Sequence, residues 1–441
     1  MSRPQAVIVG RPNVGKSTLF NKIAGKRISI VADTPGVTRD RVIASSDWNG
    51  REFTLIDTGG LVLSTDDRLL KDMRYQTQLA IDVASVIIFV VDGNVSPAME
   101  ENEIALMLKK SGKPVVLAVN KIDSGKLPPE FYEYYSFNFD HVIPVSALHG
   151  TGTGDLLDEV VGYFGANDEA SDETDITVAI VGRPNAGKSS LLNMLSGEKR
   201  SIVSDIPGTT RDAVDTVISS EDKKYTIIDT AGIRKKSKIK EEIENYSYLR
   251  AVSAIDRAKV VLLVIDASDG VSVQDTKIAG LAHDEGKSII IVINKWDLIE
   301  KNSKTMEQFT QNVRNSFVFM NYAPILYMSA LTGLRMNKLL PTIDKVYENA
   351  SKRLATGVLN ECISKALLMN QPPSDKGKQL KIYYAAQVGV LPPTIVLFVN
   401  DMQLFHFSYK RYIENQLREN FGFEGSRIEL IIRNKGDKSR F

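Results

Sequence analysis

Short runs of apolar, β-favouring residues recur along the chain, each followed by a longer stretch of helical period. In the first third they lie near 5–9, 52–57, 86–91, 115–119 and 142–145. Runs such as Ser85–Val91 carry no polar alternation, which predicts strands buried in a mostly parallel sheet with helices on both faces. None is long enough to span a bilayer. Residues 356–441 follow another plan. A helix with apolar positions 359, 362, 363, 366 and 367 comes first. Strands Lys381–Val388 and Thr394–Asn400 follow, joined through Leu391-Pro-Pro393, then a helix near 408–421 and a strand Arg427–Arg433. That α-β-β-α-β order predicts a small three-stranded sheet backed by helices.

The longer pattern is written twice. Gly10–Thr18 returns as Gly182–Ser190, Asp33–Asp40 as Asp205–Asp212, and Asp57–Gly60 as Asp229–Gly232, all at one offset. Asn120–Asp123 returns as Asn294–Asp297 and Ser146–Leu148 as Ser329–Leu331, at offsets that drift upward. Blocks in one order at nearly one spacing mark a duplicated domain, with insertions in loops of the second copy. Residues 1–165 are read as the first domain, 176–350 as the second and 356–441 as the third. The acidic stretch 166–175 between the copies contains no large apolar residue. It reads as a solvated linker spanning roughly 15–20 Å.

The chain has 441 residues and one cysteine, Cys362, which excludes an intrachain disulfide and argues against a cysteine zinc site. A reducing cytoplasm is the matching location. The first strand begins almost at once, so no signal peptide is expected. Net charge is +1 overall, but residues 351–441 carry 14 basic and 8 acidic side chains, net +6. Such a basic segment is the footprint of a nucleic-acid binder.

Gly10-x4-Gly15-Lys16-Ser17 follows a strand and opens a helix, the context of a phosphate-binding loop. Backbone amides from Gly10, Asn13, Val14, Gly15 and Thr18 would surround the phosphates, Lys16 would neutralise β/γ oxygens, and Ser17 would ligate Mg²⁺. Gly182, Asn185, Ala186, Gly187, Lys188, Ser189 and Ser190 repeat the set. Asp57 and Asp229 end strands and would reach Mg²⁺ through water. Gly60 and Gly232 would sense the γ-phosphate. Thr38 and Thr210 would complete the Mg²⁺ shell. Asn120-Lys121-x-Asp123 selects the base, because a carboxylate can accept from both N1–H and the 2-amino group of guanine. The Lys121 stem would cover the ring, and the Ser146-Ala147 turn would offer an amide to O6. Asn294, Lys295, Asp297, Ser329 and Ala330 repeat these roles, so GTP is expected at both sites.

Both repeats carry the five-box signature of translation-factor-related GTPases. Two such domains followed by a short basic domain resemble the Der (EngA) family of bacterial ribosome-assembly GTPases, along essentially the whole chain. The resemblance implies a KH-like third domain and action on the large (50S) ribosomal subunit and its rRNA. Leu61 and Ile233 stand where Ras-type GTPases place a water-orienting glutamine, so slow intrinsic hydrolysis or help from an activating protein is expected. Asn13 and Asn185 resemble the asparagine through which related GTPases hold K⁺, which implies K⁺ stimulation; a turn-forming role is the alternative.

KH domains grip RNA with a Gly-x-x-Gly loop between helices. The chain's Gly422-Phe-Glu-Gly425 stands before the last strand instead and reads as a turn. Phe131–Phe137 could stack bases but reads as a part-buried helix, and Cys362 as core. The basic run Arg234–Lys240 is either a solvated loop or a charged switch. No membrane or DNA partner is expected. The rival readings are a tRNA-modification-related or other RNA-linked GTPase and a non-enzymatic scaffold that keeps its nucleotides.

Overall fold

The computed structural model describes residues 4–25, 43–60, 69–123, 126–164, 175–197, 202–204, 215–220, 223–228, 242–300, 302–375 and 378–435. The chain divides into two compact units. One contains the first repeat; the other contains most of the second repeat together with the C-terminal domain.

In the first repeat the order is β1 (Gln5–Val9), α1 (Lys16–Ala24), β2 (Ile43–Trp48), β3 (Arg51–Asp57), α2 (Leu69–Val83), β4 (Val86–Asp92), α3 (Met99–Ser111), β5 (Val115–Asn120), α4 (Pro129–Glu133), β6 (His141–Pro144) and α5 (Thr153–Gly162). The sheet runs β2-β3-β1-β4-β5-β6. All pairs are parallel except β2–β3. The five expected strands are all present. The edge strand β2 was not expected, because Ile-Ala-Ser-Ser-Asp-Trp is mostly polar and lies at the rim, where one face stays wet.

The second repeat has β7 (Ile176–Val181), α6 (Lys188–Gly197), β8 (Ile202–Ser204), β9 (Thr216–Ser220), β10 (Lys223–Ile228), α7 (Glu242–Arg257), β11 (Val260–Asp266), α8 (Val273–Asp284), β12 (Ser288–Asn294), α9 (Thr305–Ser316), β13 (Ile325–Tyr327) and α10 (Leu339–Ser351). Its sheet runs β13-β12-β11-β7-β10-β9-β8. The late drift in offset falls where α9, with 12 residues, replaces the 5-residue α4. The insertion therefore lengthened a helix as well as loops. Strands β11 and β12 are buried at every position, because helices cover both faces.

The C-terminal domain has α11 (Thr356–Met369), the short hairpin β14 (Ser374–Asp375) and β15 (Lys378–Gln379), then β16 (Ile382–Gly389), β17 (Thr394–Val399), α12 (Phe407–Phe421) and β18 (Glu429–Asn434). The sheet runs β16-β17-β18, antiparallel then parallel. Leu359, Cys362, Ile363 and Ala366 of α11 and Ile413 and Leu417 of α12 fill its core. This is the α-β-β-α-β order expected, and Cys362 is in that core.

The Gly422–Gly425 turn has a packing role. Gly425 has φ +81°, and a Cβ there would sit 2.4 Å from Val346 Cγ2 on α10. Its amide donates to the Tyr322 carbonyl at 2.8 Å, and its carbonyl accepts from Ile289 N–H on β12 at 2.7 Å. Arg418 stacks 4.6 Å from the Tyr322 ring centre, and Arg427 donates to the His283 carbonyl at 2.9 Å. Burial, together with these two guanidinium groups, pushes His283 down to about 3. The C-terminal domain is thus hydrogen-bonded directly into the second sheet. Phe131, Tyr134 and Phe137 are buried in the first repeat's core, whereas Tyr132 and Tyr135 of the same run are exposed, so the segment is part-buried.

Candidate functional site

Each phosphate loop joins the C-terminal end of a central strand to the first turn of a helix: β1 to α1, and β7 to α6. Gly15 caps α1 at φ +94° and Gly187 takes φ +95°. A Cβ on either would lie 2.3 or 2.0 Å from the side-chain amide of Asn120 or Asn294, so the glycines allow the base-recognition strand to touch the loop. Asn13 and Asn185 also sit in the left-handed region, at φ +66° and +65°. Asparagine tolerates that conformation, so backbone shape accounts for these residues whether or not they meet an ion.

The two lysines are placed alike. Lys16 Nζ donates to the carbonyls of Gly10 at 2.8 Å and Arg11 at 2.6 Å; Lys188 Nζ donates to Gly182 at 2.7 Å and Arg183 at 2.6 Å. Burial lowers both to about 8, opposed by Asp57 for Lys16 and by Asp275 for Lys188. Each desolvated ammonium rests on two loop carbonyls, and an anion placed beside it would favour its charged form.

Ser17 Oγ donates to Asp57 Oδ2 at 2.7 Å, and Gly59 N–H donates to Asp57 Oδ1 at 2.8 Å. A hydroxyl and a carboxylate adjacent at a helix start are hard oxygen donors of the kind Mg²⁺ takes. Thr58 Oγ1 donates to the Ile8 carbonyl at 2.7 Å, tying this turn to β1. Gly60 closes the same turn. Ser17, Thr18, Ser189 and Ser190 are exposed at the starts of their helices. Thr38, Thr210, Asp229, Gly232, Leu61, Ile233, the 234–240 run and all of the linker except Asp175 lie outside the described residues.

At the base end, Asn120 spans the loop and the Ser146-Ala147 turn. Its Nδ2 donates to the Val14 carbonyl at 2.8 Å, and its Oδ1 accepts from Ala147 N–H at 2.9 Å. Asn294 does the same between the Ala186 carbonyl and Ala330 N–H, both at 2.9 Å. In the turns expected to offer an amide to guanine O6, the Ala147 and Ala330 amides are engaged by asparagine in this structure, and O6 would share them or use another amide of the turn. Ser146 Oγ donates to Asp123. In the second repeat, Asp297 Oδ1 is buried with no hydrogen-bond partner. A buried, unpartnered carboxylate oxygen suits a donor pair such as guanine's N1–H and 2-amino group.

Two further pairs escaped the reading of the boxes. Asp92 and Asp266 end β4 and β11 and bind the ammonium groups of Lys121 at 2.6 Å and Lys295 at 2.5 Å. Burial works to raise Asp266, but bonds from Lys295 and Ser268 overcome it and hold the carboxyl below its usual range. Both lysines are at left-handed φ, +69° and +58°, a strain of about 1–2 kcal/mol. With the ammonium anchored, the stem is fixed as a bar beside the candidate base site. Both aspartates follow apolar strands at the offset of the Asn-Lys box, and that spacing could have revealed them. Leu148 and Leu331 follow the guanine turns and are 68% and 81% exposed.

The C-terminal residues 353–433 match the family model described as the KH-domain-like C-terminal domain of EngA bacterial GTPases. Residues 5–121 and 177–295 match the model described as a 50S ribosome-binding GTPase. The chain is 54% identical over 437 residues to GTPase Der of Acetivibrio thermocellus, covering 99% of each. It is 56% identical over 437 residues to that of Agathobacter rectalis, again covering 99% of each. Among solved structures, Era of Aquifex aeolicus bound to GDP·AlF4⁻ is 25% identical with a TM-score of 0.30, over 60% of this chain and 95% of that one. With two phosphate loops, two guanine boxes and a KH-like domain in one polypeptide, the chain belongs to the Der family of GTPases and is a GTP-hydrolysing enzyme.

Proposed function

We propose that the chain is a Mg²⁺-dependent GTP switch with two sites that acts in assembly of the large ribosomal subunit in the cytoplasm. The observation that carries the switch is the duplicated lysine cradle joined by one asparagine to the guanine turn. Lys16 and Lys188 trade loop carbonyls for β/γ phosphate oxygens. Asp123 and Asp297 hold the guanine edge, while Lys121 and Lys295 lie along its face and Leu148 and Leu331 shield the opposite one. Ser17 with Asp57, and Ser189 with Asp229, would hold Mg²⁺, with Thr38 and Thr210 closing its shell; the ion neutralises charge developing on the phosphates. Asn13 and Asn185 would offer side-chain oxygens to K⁺.

The description of the matched GTPase model supports the ribosomal part of this reading, as does the net +6 of residues 351–441. The displaced Gly-x-x-Gly spelling sends RNA contact to lysine and arginine side chains spread over the C-terminal domain. The test is co-sedimentation with purified large subunits, with GDP or a non-hydrolysable GTP analogue, across a salt series. Analogue-dependent binding that weakens steeply with salt is expected. Nucleotide-independent or absent binding would remove the ribosome from the reading and leave the GTPase standing.

A further inference from the structure

Arg11 and Arg183 are the second residues of the two phosphate loops. Arg11 Nε lies 3.9 Å from Glu101 Oε1, and Arg183 Nε lies 3.1 Å from Asp275 Oδ2. The Arg183 contact is an ion pair without a hydrogen bond from Nε, and its Nη2 donates to the Gly270 carbonyl at 3.1 Å. Glu101 and Asp275 are the third residues of α3 and α8, and both are 0% exposed. Each accepts from a backbone amide just before its own helix: Ala98 N–H at 3.0 Å and Ser272 N–H at 2.9 Å. In each carboxylate one oxygen, Glu101 Oε1 or Asp275 Oδ1, is buried without a hydrogen-bond partner.

A helix cap alone does not call for this. Capping acids work at the surface, where solvation keeps their charge inexpensive. Here burial pushes Glu101 upward, and the Ala98 amide and Arg11 pull it back. Asp92 and Glu100 also face it and push upward. The arginine's peptide leads to the lysine, because the carbonyls of Arg11 and Arg183 each accept from the loop lysine at 2.6 Å. The same path, acid to arginine to carbonyl to lysine, is built twice from different acids. Glutamate serves in one repeat and aspartate in the other.

We propose that Arg11–Glu101 and Arg183–Asp275 are positioning pairs that fix the first limb of each phosphate loop and thereby place Lys16 and Lys188. The proposal rests on reading those lysines as phosphate-binding. It adds that a buried acid on the helix that follows β4 or β11 sets their geometry without touching nucleotide.

The experiment uses the full chain with the second site silenced by Lys188→Ala, and reads GTP turnover and fluorescent-GDP affinity. Glu101→Gln and Arg11→Ala should each lower kcat/KM at least tenfold. The double variant should be no worse than the weaker single, because both remove one interaction. Glu101→Asp, the acid of the second repeat, should restore kcat/KM to within threefold. A purely capping acid would lower thermal stability while Arg11→Ala stayed within twofold of the parent, and that result, or an additive double variant, overturns the proposal. If Glu101→Gln does not fold, Arg11→Ala decides alone, since that side chain is 33% exposed. Lys16→Ala in the same background separates the two readings. Retained turnover would topple the lysine assignment; lost turnover beside an unaffected Arg11→Ala would topple only the pairs.

Discussion

Asn120 is the residue on which the first site's two halves meet. Replacing it with alanine removes the donor to the Val14 carbonyl and the acceptor for Ala147 N–H. The asparagine side chain is buried, at 2% exposure. Each orphaned buried group costs about 1–3 kcal/mol, so the pair costs roughly 2–6 kcal/mol. The bridge joins the loop proposed to grip phosphate to the turn proposed to meet the base. Half of that cost falling on binding, about 1–3 kcal/mol, lowers GTP affinity roughly 5- to 150-fold. Asn120→Asp keeps the acceptor but sets a carboxylate oxygen against a carbonyl, and should weaken binding at least as much. The assay is fluorescent-nucleotide titration of the full chain carrying Lys188→Ala, with a thermal melt to separate unfolding from weakened binding. Asn294→Ala in a Lys16→Ala background should repeat the result, because its bonds match within 0.1 Å. A folded Asn120→Ala protein that binds GTP within threefold of its parent would refute the claim that this bridge organises the site.

Three further outcomes are expected. Lys16 and Lys188 are lowered to about 8, so between pH 8 and about 10.4 the unfolded chain binds more protons and nucleotide-free stability rises with pH. Phosphate favours the charged lysine, so GTP affinity should fall as pH rises above 8. Calorimetry in buffers of different ionisation enthalpy should show proton uptake on binding, and Lys16→Arg should remove the first site's share. Asn13→Gly keeps the left-handed loop but deletes the side chain. Loss of K⁺ stimulation relative to Na⁺ at matched ionic strength supports ion binding, and full retention reduces Asn13 to a backbone role. Gly425→Ala should destabilise by about 2–4 kcal/mol through φ strain and collision with Val346, seen as a lower melting transition; an unchanged melt would contradict the tight packing of that turn.

The sheets were legible because buried parallel strands are continuously apolar, and Val86–Val91 can hardly be anything else. The phosphate loops and the Asn-Lys boxes stand out in the sequence because chemistry fixes both residue and spacing, and because duplication repeats each one. Strand β2 was hidden by its polar rim position. Asp92 and Asp266 were hidden for another reason: an aspartate ending a strand looks like any turn residue until the lysine it anchors is seen beside it. The use of Ala147 N–H by Asn120 depends on three segments converging, which no local spacing encodes. Gly425 read correctly as a turn, but its insertion against Val346 involves residues nearly eighty positions apart.

The bond from Ile289 N–H to the Gly425 carbonyl has a consequence for how this polypeptide can be cut. Strand β12 carries that bond at its second residue and ends at Asn294. A chain truncated after Ser351 would uncover Val346 and leave the Ile289 amide seeking water. Such a fragment should be prone to self-association, and poor GTP binding by it would report a damaged strand rather than a missing RNA module. Dissection that keeps the second repeat joined to everything after it avoids that confusion. The same seam opposes exchange of the C-terminal domain between proteins, because a newcomer would have to bring its own glycine to fit beneath α10.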